Sequence, residues 1–207
     1  MKYLHNKKIF HRNLKLSNIL LKFDDEEDKS NLMKAKIILN DFYFSRYLEK
    51  GQKAKTILGS PLYMPPIILN KLTTKPKDND ILQYDDKEDI WSLGVICYEL
   101  LLGENPFDSN TMEELTAKVN KGDYYVPITL SKETISFLNC MLQFDRMERL
   151  NIDKLSNHQF LKKNVNEFKK IDLIELKDIK IVDDSKILIN TKENENIFNY
   201  FGKGVEE

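Results

Sequence analysis

The stretch from Asp86 to Leu102 constrains the fold of this chain more than any other. Ile90, Trp91, Leu93, Val95, Ile96, Cys97, Tyr98, Leu100, Leu101 and Leu102 cover almost every face of a helix, so other elements must enclose it on all sides. Gly103 stands where a helix C-cap is expected, and Asn105-Pro106 closes the following turn. The 207 residues are enough to surround such a helix, because a chain of this size can bury roughly 70% of its open-chain surface. That excludes a disulfide-dependent mini-protein. With 32 bases against 33 acids and a net charge of -1, the whole-chain field gives no reason to expect nucleic acid or an anionic membrane as partner.

Short elements precede this helix. Ile9-Phe10 and Ile19-Leu20-Leu21 read as two strands flanking the loop His11-Arg12-Asn13-Leu14-Lys15-Leu16-Ser17-Asn18. The charge run Asp24 to Lys29 reads as a solvated hairpin tip, and Ala35 to Leu39 as a third strand ending in Asn40-Asp41-Phe42. Residues 44–66, punctuated by Gly51, Gly59, Pro61, Pro65 and Pro66, read as a long ordered loop, a kind that is usually functional. Lys71 to Asp80 reads as another exposed loop. Beyond the central helix, Asn110-Thr-Met-Glu113 has capping-box spacing and opens an amphipathic helix to about Lys121. Ser131 starts another, with Ile135, Leu138, Met141 and Leu142 on one face, and a last short helix spans Ile152 to His158. Ile171 to Ile181 and Ile187 to Ile189 are strands or one helix, in an Asn/Lys/Glu-rich end expected to be partly disordered. Cys97 and Cys140 read as small buried core residues. No stretch has the length and apolarity of a membrane span or a signal peptide, so an intracellular, cytoplasmic setting is the expectation.

Five separated motifs then stand in one order. They are His11 to Asn18; Asn40-Asp41-Phe42-Tyr43; Gly59-Ser60-Pro61-Leu62-Tyr63-Met64-Pro65-Pro66-Ile67; Asp89-Ile90-Trp91-Ser92-Leu93-Gly94; and Arg149 with His158-Gln159-Phe160-Leu161. Together they resemble the C-terminal lobe of a eukaryotic Ser/Thr protein kinase domain, with H-R-D-L-K-x-x-N, D-F-G, G-T-P-x-Y-M-A-P-E and D-x-W-S-x-G as the family patterns. Residues 59–64 and the segment after Asn105-Pro106-Phe107 are similar to unc-51-like and calcium/calmodulin-dependent kinases. The resemblance implies a mainly α fold with a small β-hairpin region, an α+β kinase C-lobe over residues 1–163, and an extension over 164–207. It also implies that the N-terminal lobe is absent, since no G-x-G-x-x-G occurs in the chain.

What the resemblance implies for chemistry follows residue by residue. ATP and Mg²⁺ would be the cofactors, with Asp41 and Asn18 as the metal ligands and Lys15 meeting the γ-phosphate. His11, Asp89 and Arg149 would be structural anchors, Asp89 by accepting backbone N–H groups of the loop. Ser60, Pro61 and Tyr63 would face the protein substrate. Thr56 would be a regulatory phosphorylation site whose phosphate pairs with Arg12. The departures matter as much. The family's catalytic Asp is Asn13, and a carboxamide cannot take up the substrate hydroxyl's proton. General-base assistance is worth about 10²–10⁴-fold, so most activity is expected to be lost here. Tyr43 replaces the Gly after Asp-Phe and should restrict the Asp41 peptide. Ile67 replaces the Glu that pairs with Arg149, so Arg149 must find another acceptor or lie exposed. Three readings stay open: an impaired Ser/Thr kinase-like chain, a non-catalytic pseudokinase module that binds a protein partner, and a truncated product.

Overall fold

A computed structural model describes residues 1–47, 59–73, 84–163, 179–181 and 187–189. In chain order the elements are α1 (Lys2–Asn6), β1 (Ile9–Phe10), β2 (Ile19–Lys22), β3 (Lys36–Leu39), β4 (Arg46–Tyr47) and α2 (Pro66–Thr73). There follow α3 (Asp86–Leu102), α4 (Met112–Lys121), α5 (Lys132–Met141), α6 (Ile152–Leu155), α7 (Gln159–Lys163), β5 (Ile179–Ile181) and β6 (Ile187–Ile189). The expected fold class, mainly helical with a small sheet region, is what is found. The chain divides into two compact units, residues 1–14 with 42–171, and residues 15–41 with 172–207.

The first unit is helical and built around α3. Asp85 caps the helix, its side chain accepting from the Lys87 N–H. Gly103 ends it at φ 78°, a left-handed turn that glycine makes without steric cost. Ile90, Trp91, Val95, Ile96 and Tyr98 are buried. Ile90 and Tyr98 pack with Phe137, Leu138 and Met141 of α5 and with Ile152 and Leu155 of α6. At Gly94 a Cβ would meet the Met141 Cβ at 2.8 Å, so only glycine permits this approach of α3 to α5. Trp91 stacks on Phe107 with centroids 5.4 Å apart and planes 8° apart. Strands β1 and β4 pair antiparallel, Ile9 with Tyr47 and Phe10 with Arg46.

The second unit is a sheet of order β3-β2-β6-β5. Ile19 pairs with Leu39 and Leu21 with Ile37, antiparallel, and Leu21 also registers with Ile187. Asp28 pairs with Lys34, and Asp24 with Lys36 at 2.6 Å, beyond the end of β2, where the charge run was expected to form a solvated tip.

Several sequence expectations shift. The helix expected from Asn110 begins one residue later: Thr111 is its cap, accepting from the Glu114 N–H, and Glu114 accepts from the Asn110 N–H. On α5 the buried residues are Thr134, Phe137, Leu138 and Met141, so Phe137 takes the core place given to Ile135. The helix expected over Ile152 to His158 ends at Leu155, and a second one, α7, begins at Gln159. Cys97 and Cys140 are free thiols of intermediate burial, packed against the core rather than inside it. Helix α2 lies across the edge of what reads as a loop in sequence. Of the tail, Ile179–Ile181 and Ile187–Ile189 are strands, and its other residues lie outside the described ones.

Candidate functional site

Asp89, fully buried in the first turns of α3, organises the loop that begins at His11. Its Oδ2 accepts from the His11 N–H at 2.9 Å and from His5 Nε2 at 2.9 Å. Its Oδ1 accepts from the Arg12 N–H at 2.9 Å and from the Tyr84 hydroxyl at 2.9 Å. A carboxylate offers about four acceptor positions, and this one fills them. A buried carboxylate without such partners would be expensive. Two consecutive N–H groups of the loop are thereby tied to the helix at the centre of the core.

Arg12 is held with φ 68°, in the left-handed region that is uncommon for a non-glycine residue. Its guanidinium lies over the Tyr84 ring, 5.3 Å from the centroid. His11, fully buried, meets the Phe42 ring edge-on at 4.9 Å, and its carbonyl accepts from the Ser45 hydroxyl at 3.2 Å. Asn13 is 7% exposed.

Residues 59–64 run against this loop. Gly59, at φ 124°, sits where a Cβ would be 3.1 Å from the Arg12 carbonyl and 3.8 Å from Asn13 Oδ1. A short 3-10 turn, Pro61–Tyr63, follows and is tied to α3 at both ends of Tyr63. The Tyr63 hydroxyl donates to Glu99 Oε2 at 2.7 Å, and the Ser92 hydroxyl donates to the Tyr63 carbonyl at 2.8 Å. Burial pushes the Glu99 carboxyl up, and the hydrogen bond from Tyr63 pulls it back. Asn13, Ser60, Tyr63 and Tyr84 line one cavity. The three residues expected to face a substrate, Ser60, Pro61 and Tyr63, therefore stand on one anchored turn beside Asn13. Thr56 lies outside the described residues.

Arg149 is 1% exposed, so the alternative of an exposed guanidinium falls away. Its Nε and Nη2 donate to the Gln143 carbonyl at 3.2 and 3.0 Å, its Nη1 donates to the Lys87 carbonyl at 2.8 Å, and it stacks 5.1 Å over Trp91. Carbonyl dipoles and a ring face thus take the place of the carboxylate that Ile67 does not supply. Burial lowers Arg149 to about 10, and the nearby Glu88 carboxyl, when ionised, holds it up. Glu88 itself is fully buried on α3, and burial, with Asp85 beside it, pushes it up to about 8. Arg146 pairs with Asp85 and reaches Glu88 Oε1 at 3.5 Å.

In the second unit Asn18 and Asp41 come together across β2 and β3. The Asn18 side-chain amide donates to Asp41 Oδ2 at 3.2 Å, and the Asn40 N–H donates to the Asn18 carbonyl at 2.9 Å. Asp41 holds φ 62°. A carboxylate and a carboxamide in contact present the hard oxygen donors that suit Mg²⁺, which takes one or two protein ligands and completes its shell with phosphate and water. These residues fit that ion. Tyr43 is 87% exposed and is not among the residues with positive φ, so it fills the glycine position without backbone strain.

Sequence reasoning missed Tyr84, Glu99, Glu88 and the role of His5. Glu99 lies on α3 with its partner Tyr63 36 positions away, and Tyr84, whose hydroxyl partner Asp89 is five positions on, meets Arg12 72 positions away, a contact no local pattern exposes.

Comparison with known proteins gives a consistent picture. Residues 1–161 match the family model of the protein kinase domain. The chain is 34% identical over 165 residues to the serine/threonine-protein kinase ULK1 of Homo sapiens, covering 78% of this chain and 15% of that protein. It is 35% identical over 163 residues to the serine/threonine-protein kinase polo of Drosophila melanogaster, covering 78% and 25%. It is 31% identical over 167 residues to the serine/threonine-protein kinase atg1 of Dictyostelium discoideum, covering 81% and 22%. The chain thus spans a quarter or less of the length of these relatives. On the strength of the match over residues 1–161, the chain belongs to the protein kinase domain family.

Proposed function

We propose that this chain is a Ser/Thr protein-kinase-like domain in which the frame of the catalytic loop is retained and the general base is not. One observation carries this reading. The loop His11 to Asn13 is fastened to Asp89 by two backbone N–H groups, and at its end stands Asn13, a carboxamide, where proton transfer calls for a carboxylate. In the family reaction Mg-ATP supplies the phosphoryl group. Asp41 and Asn18 would hold Mg²⁺, and Lys15 would neutralise charge on the γ-phosphate. Asn13 would orient the substrate hydroxyl by hydrogen bonding without accepting its proton. Positioning and charge neutralisation dominate phosphoryl transfer, so the loss at Asn13 is of order 10²–10⁴-fold rather than complete. The substrate is a protein, received on the turn of Ser60, Pro61 and Tyr63. Among the described residues no helix is long and apolar enough to cross a membrane.

A second reading, a non-catalytic module that binds a protein partner, is favoured by the same anchored turn, which Tyr63, Glu99 and Ser92 hold in place irrespective of residue 13. Transfer of labelled phosphate from Mg-ATP to a basic protein substrate separates the two. An Asn13→Asp variant that gains at least ~10²-fold over the native chain supports the impaired-kinase reading. No gain favours the partner-binding reading. Robust Mg-dependent turnover by the native chain contradicts both.

A further inference from the structure

We propose that the C-terminal hairpin, β5 with β6, is a positioning element for the Asn18–Asp41 pair: it takes the open edge of β2 and completes the sheet at whose end those two residues stand. The proposal rests on the reading of that pair as the Mg²⁺ ligands, and it gives a role to strands that lie outside residues 1–161, the stretch that matches the protein kinase domain.

Taken alone, β2 and β3 make a hairpin of two four-residue strands. Such a hairpin is marginal in water, and a stable sheet needs further strands or a packed apolar face. The tail supplies the strands. β6 pairs antiparallel with β2 along the edge that β3 leaves open, and β5 pairs with β6. The register continues across the whole sheet: Ile37 stands opposite Leu21, Leu21 opposite Ile187, and Ile187 opposite Ile181. Two residues along each strand, and so on the same face, stand Leu39, Ile19, Ile189 and Ile179. All of these positions are Ile or Leu, and the β-branched Ile is favoured in strands. The sequence thus lays one apolar face across strands from opposite ends of the chain, which is what specifies a pairing register.

The direction of β6 brings the tail to the donor pair. Because Ile187 stands opposite Leu21 in an antiparallel pairing, the last residue of β6, Ile189, comes level with Ile19, the residue after Asn18. The strand lies against the turn Leu16–Asn18. On the other side of β2, Leu39 pairs with Ile19, and Asp41 follows two residues later. At this end of the sheet the Asn18 amide donates to Asp41 Oδ2 at 3.2 Å, and the Asn40 N–H donates to the Asn18 carbonyl at 2.9 Å. Asp41 holds φ 62°, and a non-glycine residue stays in that region only when its surroundings over-determine it. A sheet of four strands supplies that constraint, and a fraying pair of strands does not. An ion that takes only one or two protein ligands depends on their geometry being fixed beforehand.

The test compares amide hydrogen exchange and Mn²⁺ binding in the full 207-residue chain and its Leu188→Pro and Leu188→Ile variants. β6 is an interior strand, so a proline there removes a ladder hydrogen bond. Leu188→Pro should speed exchange of the Asn40 N–H at least ~10-fold by local opening of the sheet, and leave the His11 and Arg12 amides of the other unit within about twofold of native. Mn²⁺, which takes the same oxygen donors as Mg²⁺ and reports its binding by paramagnetic resonance, should bind Leu188→Pro at least ~3-fold more weakly. Leu188→Ile keeps the N–H and a strand-favouring side chain, and should match the native chain in both readouts. Should Leu188→Pro give no cooperative unfolding transition, Leu188→Gly is the second variant, since glycine weakens a strand interior without removing the N–H. The proposal is overturned if Asn40 exchanges alike in the native and strand-broken chains, or if His11 and Arg12 accelerate as much as Asn40. Faster exchange at Asn40 with unchanged Mn²⁺ affinity also overturns it, because the hairpin would then hold the sheet and not the donors. A native chain that binds no Mn²⁺ contradicts the metal reading of Asn18 and Asp41 instead, and exchange at Asn40 still decides whether the hairpin holds the pair.

Discussion

In the helical unit Trp91, Leu138 and Met141 have lost all contact with water, whereas in the hairpin unit Met33 is 75% and Ile37 71% exposed. The contrast extends to the polar residues. Asp89 and Arg149, in the helical unit, are buried and hydrogen-bonded, and Glu88 beside them is buried with its carboxyl pushed up to about 8. The facing pairs of the hairpin, Asp24 with Lys36 and Asp28 with Lys34, carry substantial exposure. The residues that frame the loop are thus fixed by packing, while Asn18 and Asp41, the candidates for the metal, flank the end of the short β2–β3 ladder, Asn18 just before β2 and Asp41 beyond β3, and bond to one another. Frame and chemistry are held by different forces and should respond differently to substitution.

The largest expected effect lies in the helical unit. Trp91→Ala should cost about 3–5 kcal/mol in denaturant unfolding, because it opens a cavity between α3 and Phe107 and removes the ring beneath Arg149. Ile37→Ala in the hairpin should cost less than about 1 kcal/mol, since that side chain never left water. Equal costs would break the comparison. Asp89→Ala comes next: it leaves the His11 and Arg12 N–H groups and the Tyr84 hydroxyl buried without their acceptor, a loss of roughly 3 kcal/mol or more. Asp89→Asn keeps one oxygen and should cost less.

Acidity offers a third test. Glu88 rises from an ordinary carboxyl value of 4.5 to about 8 in the fold. A folded value raised above the unfolded one favours the protonated form, so its stabilising contribution is complete below pH 4.5 and is lost as pH climbs through 8. The melting temperature should therefore fall between pH 5 and 8.5, and Glu88→Gln should flatten that slope. Arg149, lowered to about 10, stays charged throughout this window and adds no slope of its own. A rising or flat profile in the native chain would show that Arg146 and Arg149 hold Glu88 ionised. The smallest effects belong to the hairpin. Asn18→Ala, which removes a buried carboxamide bonded to Asp41, should cost about 1–2 kcal/mol, less than Asp89→Ala, while removing any Mg²⁺ dependence of nucleotide binding. Lys36→Ala should leave the melting temperature unmoved within error, because its partner Asp24 is a solvated surface group.

Much of this was legible in the residues themselves. The all-round apolar pattern of Asp86 to Leu102 marked α3, and Gly103 marked its C-terminal end, while the cap Asp85 came from the structure. The resemblance pointed to Asp89 and His11 as structural residues; in the fold Asp89 accepts from the His11 and Arg12 N–H groups and His11 meets the Phe42 ring. What the sequence could not show depends on contacts distant along the chain. Arg149 finds the carbonyls of Gln143 and Lys87, and every residue has a carbonyl, so no pattern announces which two. Tyr84 became visible only when Arg12 and Asp89 were placed around it. The shift of the α4 cap from Asn110 to Thr111 has a simpler cause: both residues are capping types, and the choice was made by Glu114, one position beyond the Glu113 that the pattern selected.

The account's central claim is that the loop keeps its frame and has lost only its base. Amide hydrogen exchange at His11 and Arg12, compared between the native chain, Asn13→Asp and Asp89→Asn, tests it most directly. The account predicts strong and equal protection in the native and Asn13→Asp chains, with protection at both amides falling in Asp89→Asn. Fast exchange at these amides in the native chain, restored by Asn13→Asp, would contradict it, because the frame would then depend on the residue said to be dispensable to it.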